Sequence, residues 1–399
     1  MAREHALQAG SRGDAAGLDP VRLLREIRAH AASLGLSQIA VSDLQLGDTE
    51  EHLRRWLEQG MHGAMDYMAR HGMARARPAE LLPGTLRVIT ARLDYLPHDT
   101  VDGWRALEWQ RTQDPRQAVV SLYARGRDYH KVLRQRLGAL AAFIAQRADP
   151  RVLRAFTDSA PVPEVALGAR SGLGWRGRHS LLLRRDAGSM FFLGEIYTDL
   201  DLPTDSPVPG HCGSCTRCID VCPTRAIVAP YVVDARRCIS YLSIELDGPI
   251  PQGLRAAMGN RVYGCDDCQL VCPWNRYARR SPLPDFLPRN ELQRASLLQL
   301  WSWDEAQFLQ RTEGSAIRRI GWQRWRRNLA VALGNARRAL PAGDALQAPI
   351  AQALRAALEH ADPLVAEHIA WALAQAPGGD VATAACAVAA ATPAAARSP

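Results

Sequence analysis

The sequence predicts an α+β protein in three parts: an α/β domain, a compact cysteine-bearing domain and an α-helical tail. Three observations carry that expectation. Strand and helix patterns alternate up to about residue 205. Eight cysteines then fall between Cys212 and Cys272. Beyond them the patterning is helical, and residues 329–336 are echoed at 369–376. A length of 399 residues suits two or three domains with ample core.

The first 18 residues are polar and rich in Gly and Ala, with no apolar signal-peptide core, and read as a tail. The α/β domain spans 19–205. Pro20, Val21, Leu23, Leu24, Ile27, Ala31 and Leu34 recur at helical spacing with proline near the start, which predicts a helix over 20–35. A strand is predicted at 38–41, a helix at 50–60, strands at 86–95 and 118–123, and an amphipathic helix at 128–146. A strand over 153–157 ends at Asp158; a helix at 163–170 and strands at 181–183 and 190–198 complete the domain. Gly172, Gly174 and Gly177 match G-x-G-x-x-G. A dinucleotide fingerprint needs a strand before the glycines and a helix after, and here the order is reversed. The glycines read instead as a tight turn that lets backbone approach a ligand or a neighbouring element.

Residues 206–280 form the cysteine domain. Cys212, Cys215, Cys218 and Cys222, followed by Pro223, give C-x2-C-x2-C-x3-C-P, the run by which bacterial ferredoxins hold 4Fe–4S clusters. Cys265, Cys268, Cys272 and Pro273 repeat it with one cysteine missing, and Cys238 lies between. Eight thiolates are the count for two cubanes. In such runs the first three thiolates surround one cluster and the fourth crosses to the other. Cys212, Cys215, Cys218 and Cys272 are therefore assigned to cluster one, and Cys222, Cys238, Cys265 and Cys268 to cluster two. Disulfides do not explain two Cys-Pro endings, and zinc seldom uses this spacing. The irregular second run implies that something other than a second ferredoxin half fills the space beside cluster two. Cys386 reads as a small apolar filler.

Residues 281–290 read as a Pro-rich linker, 291–380 as a HEAT-type helical region with a period of 40, and 381–399 as an Ala-rich tail. Two copies are too few for a free-standing solenoid, so this piece is expected to pack on the core. From Ser315 to Arg338 there are seven arginines, no acidic residue, and Trp322 and Trp325 interleaved. Such a stretch can neutralise phosphates and stack on bases; the bland alternative is a solvated face. The net charge of +8 permits an anionic partner such as nucleic acid. Lys131 is the one lysine, so the use of arginine for lysine carries little meaning. No run of 18 strongly apolar residues predicts a membrane span, and thiols that must stay reduced suit the cytoplasm. Nothing in the sequence demands more than a monomer.

Several segments, taken in order with the cysteines, resemble the epoxyqueuosine reductases, cobalamin-dependent iron–sulfur enzymes of tRNA queuosine synthesis. They are residues 60–68 (GMHGAMDYM), 123–130 (YARGRDYH), 158–164 (DSAPVPE), 171–177 (SGLGWRG), 192–199 (FLGEIYTD) and 259–268 (GNRVYGCDDC). The resemblance covers residues 20 to 376. It implies a nitroreductase-like cobalamin-binding core, a ferredoxin-like domain with two 4Fe–4S clusters, and helical repeats that grip tRNA. It also implies an external low-potential electron donor, and a tRNA carrying epoxyqueuosine at the wobble position of its anticodon.

Residue by residue, the resemblance makes Asp158 the proton donor. It places Arg75, Ser121, Asp158, the backbone of Leu182, Leu183 and Arg184, Leu193, Cys265, Asp266, Asp267 and Cys268 against cobalamin. Arg178 stands where the family often has lysine: it keeps the charge but cannot give up a proton. His179 stands where asparagine is common and reads as a hydrogen-bonded or surface histidine ahead of a metal ligand. For tRNA phosphate the expected contacts are Arg318, Arg319, Arg324 and Arg327. Asp158 faces a chemical demand, because a solvated aspartate has a pKa of about 3.9. To hold a proton at neutral pH its pKa must rise by roughly 3, about 4 kcal/mol, which burial over an apolar cofactor face could supply. Two competing readings, a cobalamin-dependent reductase of a small molecule such as an organohalide and an electron-carrier subunit, are disfavoured by the arginine-rich tail and by the roughly 190 residues ahead of the clusters, respectively.

Overall fold

The computed structural model describes residues 19–375. The expected 1–18 and 381–399 tails, Cys386 and the last residues of the 291–380 region lie outside them. The core of the first domain is a four-stranded sheet. Its spatial order is Gln38–Ser42, Arg87–Asp94, Phe191–Thr198, Leu153–Thr157, and every neighbouring pair is antiparallel. Strand alternation gives the sheet two faces. One carries Ile89, Ala91, Leu93 and Ile196 against Leu24 and Ile27 of the helix Pro20–Ser33 and Leu133, Leu137 and Leu140 of the helix Tyr129–Ala148. Asp19 caps the first helix through the Val21 N–H, and Asp128 caps the second through the His130 N–H. A Cβ on Gly194 would stand 2.6 Å from a Leu137 methyl, so this strand needs glycine for the helix to seat. The opposite face presents Val88, Glu195 and Tyr197 to the short helix Glu164–Arg170.

Most predicted elements stand within two residues of their expected ends. Two departures matter. The predicted strand 118–123 is only Val119–Val120, followed by a 3-10 turn over Leu122–Ala124. The turn frees the Leu122 N–H to donate to Asp266 at 2.7 Å. The helix Trp104–Gln113 has no sequence-based counterpart. It is tied down by a buried bidentate pair, Arg125 to Glu108, at 2.9 and 2.6 Å.

Packing ignores the expected domain boundaries. Arg261–Tyr263 from the cysteine domain pairs in parallel with Val119–Val120 of the first domain. One hydrophobic core joins Val120, Val262, Trp301, Trp325, Leu333 and Ile369. The Pro-rich 281–290 segment is not a free linker: Phe286 is buried in the first domain's core, its ring 5.6 Å from that of Phe192. In the tail, the helices Gly321–Ala339, Gln347–Leu358 and Pro363–Leu373 pack together and onto the cysteine domain, as the two-copy argument expects. No helix among the described residues is long and apolar enough to cross a membrane.

Candidate active site and cluster ligands

The eight described cysteines are all free of disulfides. Burial pushes the Cys218 thiol up to about 11, and the charges of Cys272, Cys212 and Cys215 add to it. Burial likewise raises Cys268 well above the ordinary thiol value, with Cys238 and Cys222 bearing on it next. Cys238 and Cys265 share one packed cluster of side chains. The fold thus brings cysteines from both runs close to one another. Among the described residues no three acidic, histidine or cysteine side chains close on a single metal ion. A four-iron cluster is ligated at four separate irons, so its thiolates need not converge. Eight free thiols concentrated in one small, largely buried region fit cluster ligation, whose cationic field would draw off their protons.

The Cys265–Cys268 loop is held by a fixed turn. Gly264 has φ +68°, and a Cβ there would meet the Ser121 Cβ at 2.7 Å. Its N–H donates to the Ser243 hydroxyl at 2.9 Å. Between Cys265 and Cys268, Asp266 accepts from the Ser121 hydroxyl at 2.5 Å and from the Leu122 N–H. Asp267 takes both arms of Arg261, at 2.9 and 2.6 Å, inside the protein. Asp266 therefore clamps the cysteine loop onto the first domain, and Asp267 fixes it to the strand that precedes it.

A cavity of about 450 Å³ opens between the sheet and this loop. Cys222, Cys238, Cys265 and Cys268 line one side; Asp158, Glu164 and Tyr129 line another; Leu182, Phe191 and Leu193 supply apolar wall. None of the first quartet lines it. Asp158 is carried at the end of the strand Leu153–Thr157. Its Oδ2 lies 2.8 Å from His130 Nε2 and accepts from the Tyr129 hydroxyl. The other ring nitrogen of His130 lies 2.8 Å from Asp128 Oδ1. Burial pulls the His130 pKa down, but hydrogen bonds to Asp128 and Asp158 overcome it and raise the value to about 9. Burial raises Asp158, yet His130 and then Tyr129 outweigh it, and the carboxyl sits below its ordinary range. Its side chain keeps 44% of its surface open to the cavity. Glu164 is raised to about 8, first by burial and then by the charge of Asp158.

Hydrogen bonds to His130 and Tyr129 favour the ionised form of the Asp158 carboxyl against its burial, while burial favours the protonated form of Glu164.

Two comparisons of sequence place the chain. Residues 211–275 match a family described as a 4Fe-4S double cluster binding domain, and 75–159 match one described as epoxyqueuosine reductase QueG, DUF1730. The epoxyqueuosine reductase of Alicycliphilus denitrificans is 60% identical over 355 residues, covering 89% of this chain and 98% of that protein. The chain belongs to the epoxyqueuosine reductase family. The Escherichia coli relative is 51% identical over 361 residues, covering 90% of each. Among solved structures, an epoxyqueuosine reductase bound to a tRNA-Tyr stem loop carrying epoxyqueuosine superposes with a TM-score of 0.75 at 27% identity, covering 89% of this chain and 90% of that one. A Bacillus subtilis epoxyqueuosine reductase, with its catalytic Asp loop swung out of the active site, gives 0.74 at 26%, covering 89% and 90%.

Within this family's framework, the residues expected against cobalamin divide. Ser121, Asp158, Leu182, Leu193 and residues 265–268 line the cavity. Leu183, on the other side of its strand, packs with Trp175 and Cys272. Arg184 is spent on the Gly172 and Leu173 carbonyls and on Asp186. Arg75 stands close enough to Asp158 and Glu164 to feel their charges, and its Nε is buried without a partner. His179 is buried rather than on the surface. Burial holds its pKa down to about 4, and its Nδ1 accepts from the Leu181 N–H, so Nε2 carries the proton and is buried unpartnered in a residue that lines the cavity. Arg178 donates to the Gly213 carbonyl, away from any acid–base role. The glycine turn behaves as expected: a Cβ on Gly174 would stand 2.2 Å from the Leu183 carbonyl oxygen.

Of the arginines expected on tRNA, Arg327 is fully buried and donates to the carbonyls of Leu242, Leu246 and Gly248. It cannot reach phosphate. Arg324 pairs with Asp247, Arg319 with Glu245, and Arg318 with the Leu309 carbonyl, and all three keep surface exposure. Arg319 and Tyr67 both lie near enough to Asp158 to feel its charge. Tyr129, His130 and Glu164 belong to the site without being singled out by sequence reasoning. The Asp128–His130 pair within YARGRDYH is the available signal.

Proposed function

We propose that this protein reduces epoxyqueuosine, at the wobble position of a tRNA anticodon, to queuosine. The observation that carries the reading is a single cavity with Asp158 at one wall and four cysteines at another, in a chain 60% identical to a named epoxyqueuosine reductase. The conversion removes one oxygen as water and takes two electrons and two protons.

Cys212, Cys215, Cys218 and Cys272 would hold one 4Fe–4S cluster, and Cys222, Cys238, Cys265 and Cys268 a second. The cavity between the second quartet and Asp158 suits a cobalamin: apolar wall for the ring, and Ser121 and the unpartnered Nε2–H of His179 for its amide groups, with Arg75 near Asp158 as a further candidate contact. When bound, that cofactor supplies the electron-rich cobalt that opens the epoxide, and the clusters supply its electrons. The protein's own residues manage the protons. Substrate entry strips water from Asp158, which raises its affinity for the proton shared with His130. Asp158 delivers that proton to the departing ring oxygen, and His130 and Tyr129 fix the carboxyl's aim. Glu164 holds the second proton in reserve. Arg318, Arg319 and Arg324, which keep surface exposure, would meet the anticodon phosphates. The modified base must leave its stack to enter, and the exposed Tyr67 would stack on it.

In this reading residues 19–205 form a nitroreductase-like cobalamin-binding core, 206–280 a ferredoxin-like two-cluster domain, and 291–380 a HEAT-like grip on tRNA. Such a protein works in the cytoplasm as a monomer. The test is anaerobically reconstituted protein with cobalamin, a low-potential reductant and tRNA rich in epoxyqueuosine, with the digested nucleosides followed by mass. Cobalamin-dependent loss of one oxygen atom is the expected result. An unchanged nucleoside, with clusters and cobalamin intact, defeats the reading in favour of a small-molecule reductase.

A further inference from the structure

A second hollow, a groove of about 1310 Å³, lies apart from the Asp158 cavity. Its walls come from the helix Trp104–Gln113, the short helix Arg217–Asp220 and residues 270–280. The groove shares no lining residue with the Asp158 cavity. Cys218 lies within the Arg217–Asp220 helix, and Cys272 follows Leu270 and Val271 in the floor. The groove is thus walled by the chain that carries two ligands of cluster one. None of Cys222, Cys238, Cys265 and Cys268 lines the groove, and all four line the Asp158 cavity.

Its charge is lopsided. Arg105, Arg217, Arg276, Arg279 and Arg280 line it, against Asp102 and Asp220. Arg280 pairs with Asp102 and Arg279 with Asp186. Among the described residues Arg217 and Arg276 have no carboxylate partner, and both are exposed. Arg105 is fixed by a 2.7 Å hydrogen bond to the Leu270 carbonyl and feels the charges of Cys272, Arg217 and Arg276. Half-buried Trp104 and Trp109 complete the lining, and Leu107 on the same helix is exposed. Arginine and tryptophan around a concave centre are the side chains that dominate protein–protein docking energy.

We propose that this groove docks the acidic face of a small one-electron carrier protein, which delivers reducing equivalents to cluster one. The proposal rests on the reading of Cys212, Cys215, Cys218 and Cys272 as cluster ligands. Each encounter moves one electron: the carrier is oxidised by one, cluster one is reduced by one, and two encounters supply the pair that the epoxide consumes. Unpaired arginines steer an anionic partner, and the floor brings its cofactor beside the cluster rather than beside the substrate. A nucleic acid would also feel this charge. The proposed substrate site is the other cavity, however, and Trp104, Trp109 and the exposed Leu107 favour a protein.

The experiment uses the full-length, cluster-loaded protein and two reductants, a photoreduced acidic flavodoxin and dithionite-reduced methyl viologen. Bleaching of the cluster absorbance is followed by stopped flow without cobalamin or tRNA. With Arg217→Glu plus Arg276→Glu, the second-order rate from flavodoxin should fall at least tenfold and lose most of its salt dependence, while the viologen rate holds. Arg276→Glu with Arg280→Glu reads the same surface without altering a neighbour of Cys218. Iron content near eight per chain, with viologen bleaching, secures the cluster reading separately. An unchanged flavodoxin rate in both variants overturns the proposal. So does weakened tRNA affinity with an unchanged flavodoxin rate, which would assign the groove to nucleic acid.

Discussion

The Nε2 of His130 lies 2.8 Å from Oδ2 of Asp158, and this pairing decides where the proton sits in the open site. The ring is held between two carboxylates, Asp128 and Asp158, so its pKa is raised to about 9. Because the folded value exceeds the unfolded one of about 6.5, the interaction stabilises fully below pH 6.5. That stability is lost as pH rises through about 9, and it amounts to about 3 kcal/mol. Turnover should fall along an alkaline limb centred near 9. His130→Gln should remove that limb and lower kcat about 100-fold, with tRNA affinity unchanged. A pH–rate profile of both proteins checks it.

Asp158→Asn keeps the shape and the Tyr129 hydrogen bond but cannot pass a proton. Loss of kcat by about 100- to 10,000-fold is expected, with cobalamin and tRNA affinity preserved. Full turnover in this variant would remove Asp158 from the chemistry.

Arg319 and Arg327 lie eight residues apart and should behave oppositely. Arg319→Ala, joined with Arg318→Ala and Arg324→Ala, should weaken tRNA binding and reduce the salt slope by about one for each phosphate left without its arginine. Arg327→Ala should leave the salt slope alone and destabilise the fold. It strands three buried carbonyls, at about 1–3 kcal/mol each. Filter binding across a salt series and thermal melts separate the two.

Asp267→Ala leaves the Arg261 guanidinium buried without its carboxylate, a change worth about 3–5 kcal/mol. Because Asp267 sits between Cys265 and Cys268, iron content should fall toward four per chain while the cluster-one signal survives. Iron assay with electron paramagnetic resonance reads both.

Much of the fold and site is legible in the sequence because the signals are local. The cysteine runs announce an iron–sulfur domain through their spacing, and the strand Leu153–Thr157 ends at Asp158 as read from the sequence. The helix Trp104–Gln113 is silent because Arg105, Glu108 and Arg111 break any apolar stripe, and its anchor is the distant Arg125. Arg327 misleads because its helix is buried on nearly every side between Trp325 and Ala336, where a solvated face is the usual lot of arginine. The protonation state of Asp158 is out of reach for the same kind of reason. His130 is 28 residues away, and only the folded approach of a helix start to a strand end brings them together.

The two-rung ladder between Val119–Val120 and Arg261–Tyr263 runs straight into Ser121 on one side and Gly264–Cys265 on the other. Wall and ligand are therefore one rigid seam. If Cys265 holds a cluster as proposed, oxygen that dismantled it would slacken the seam and the chamber wall with it. Damage to the wiring and damage to the chamber would then be a single event, and an air-exposed molecule would be switched off whole.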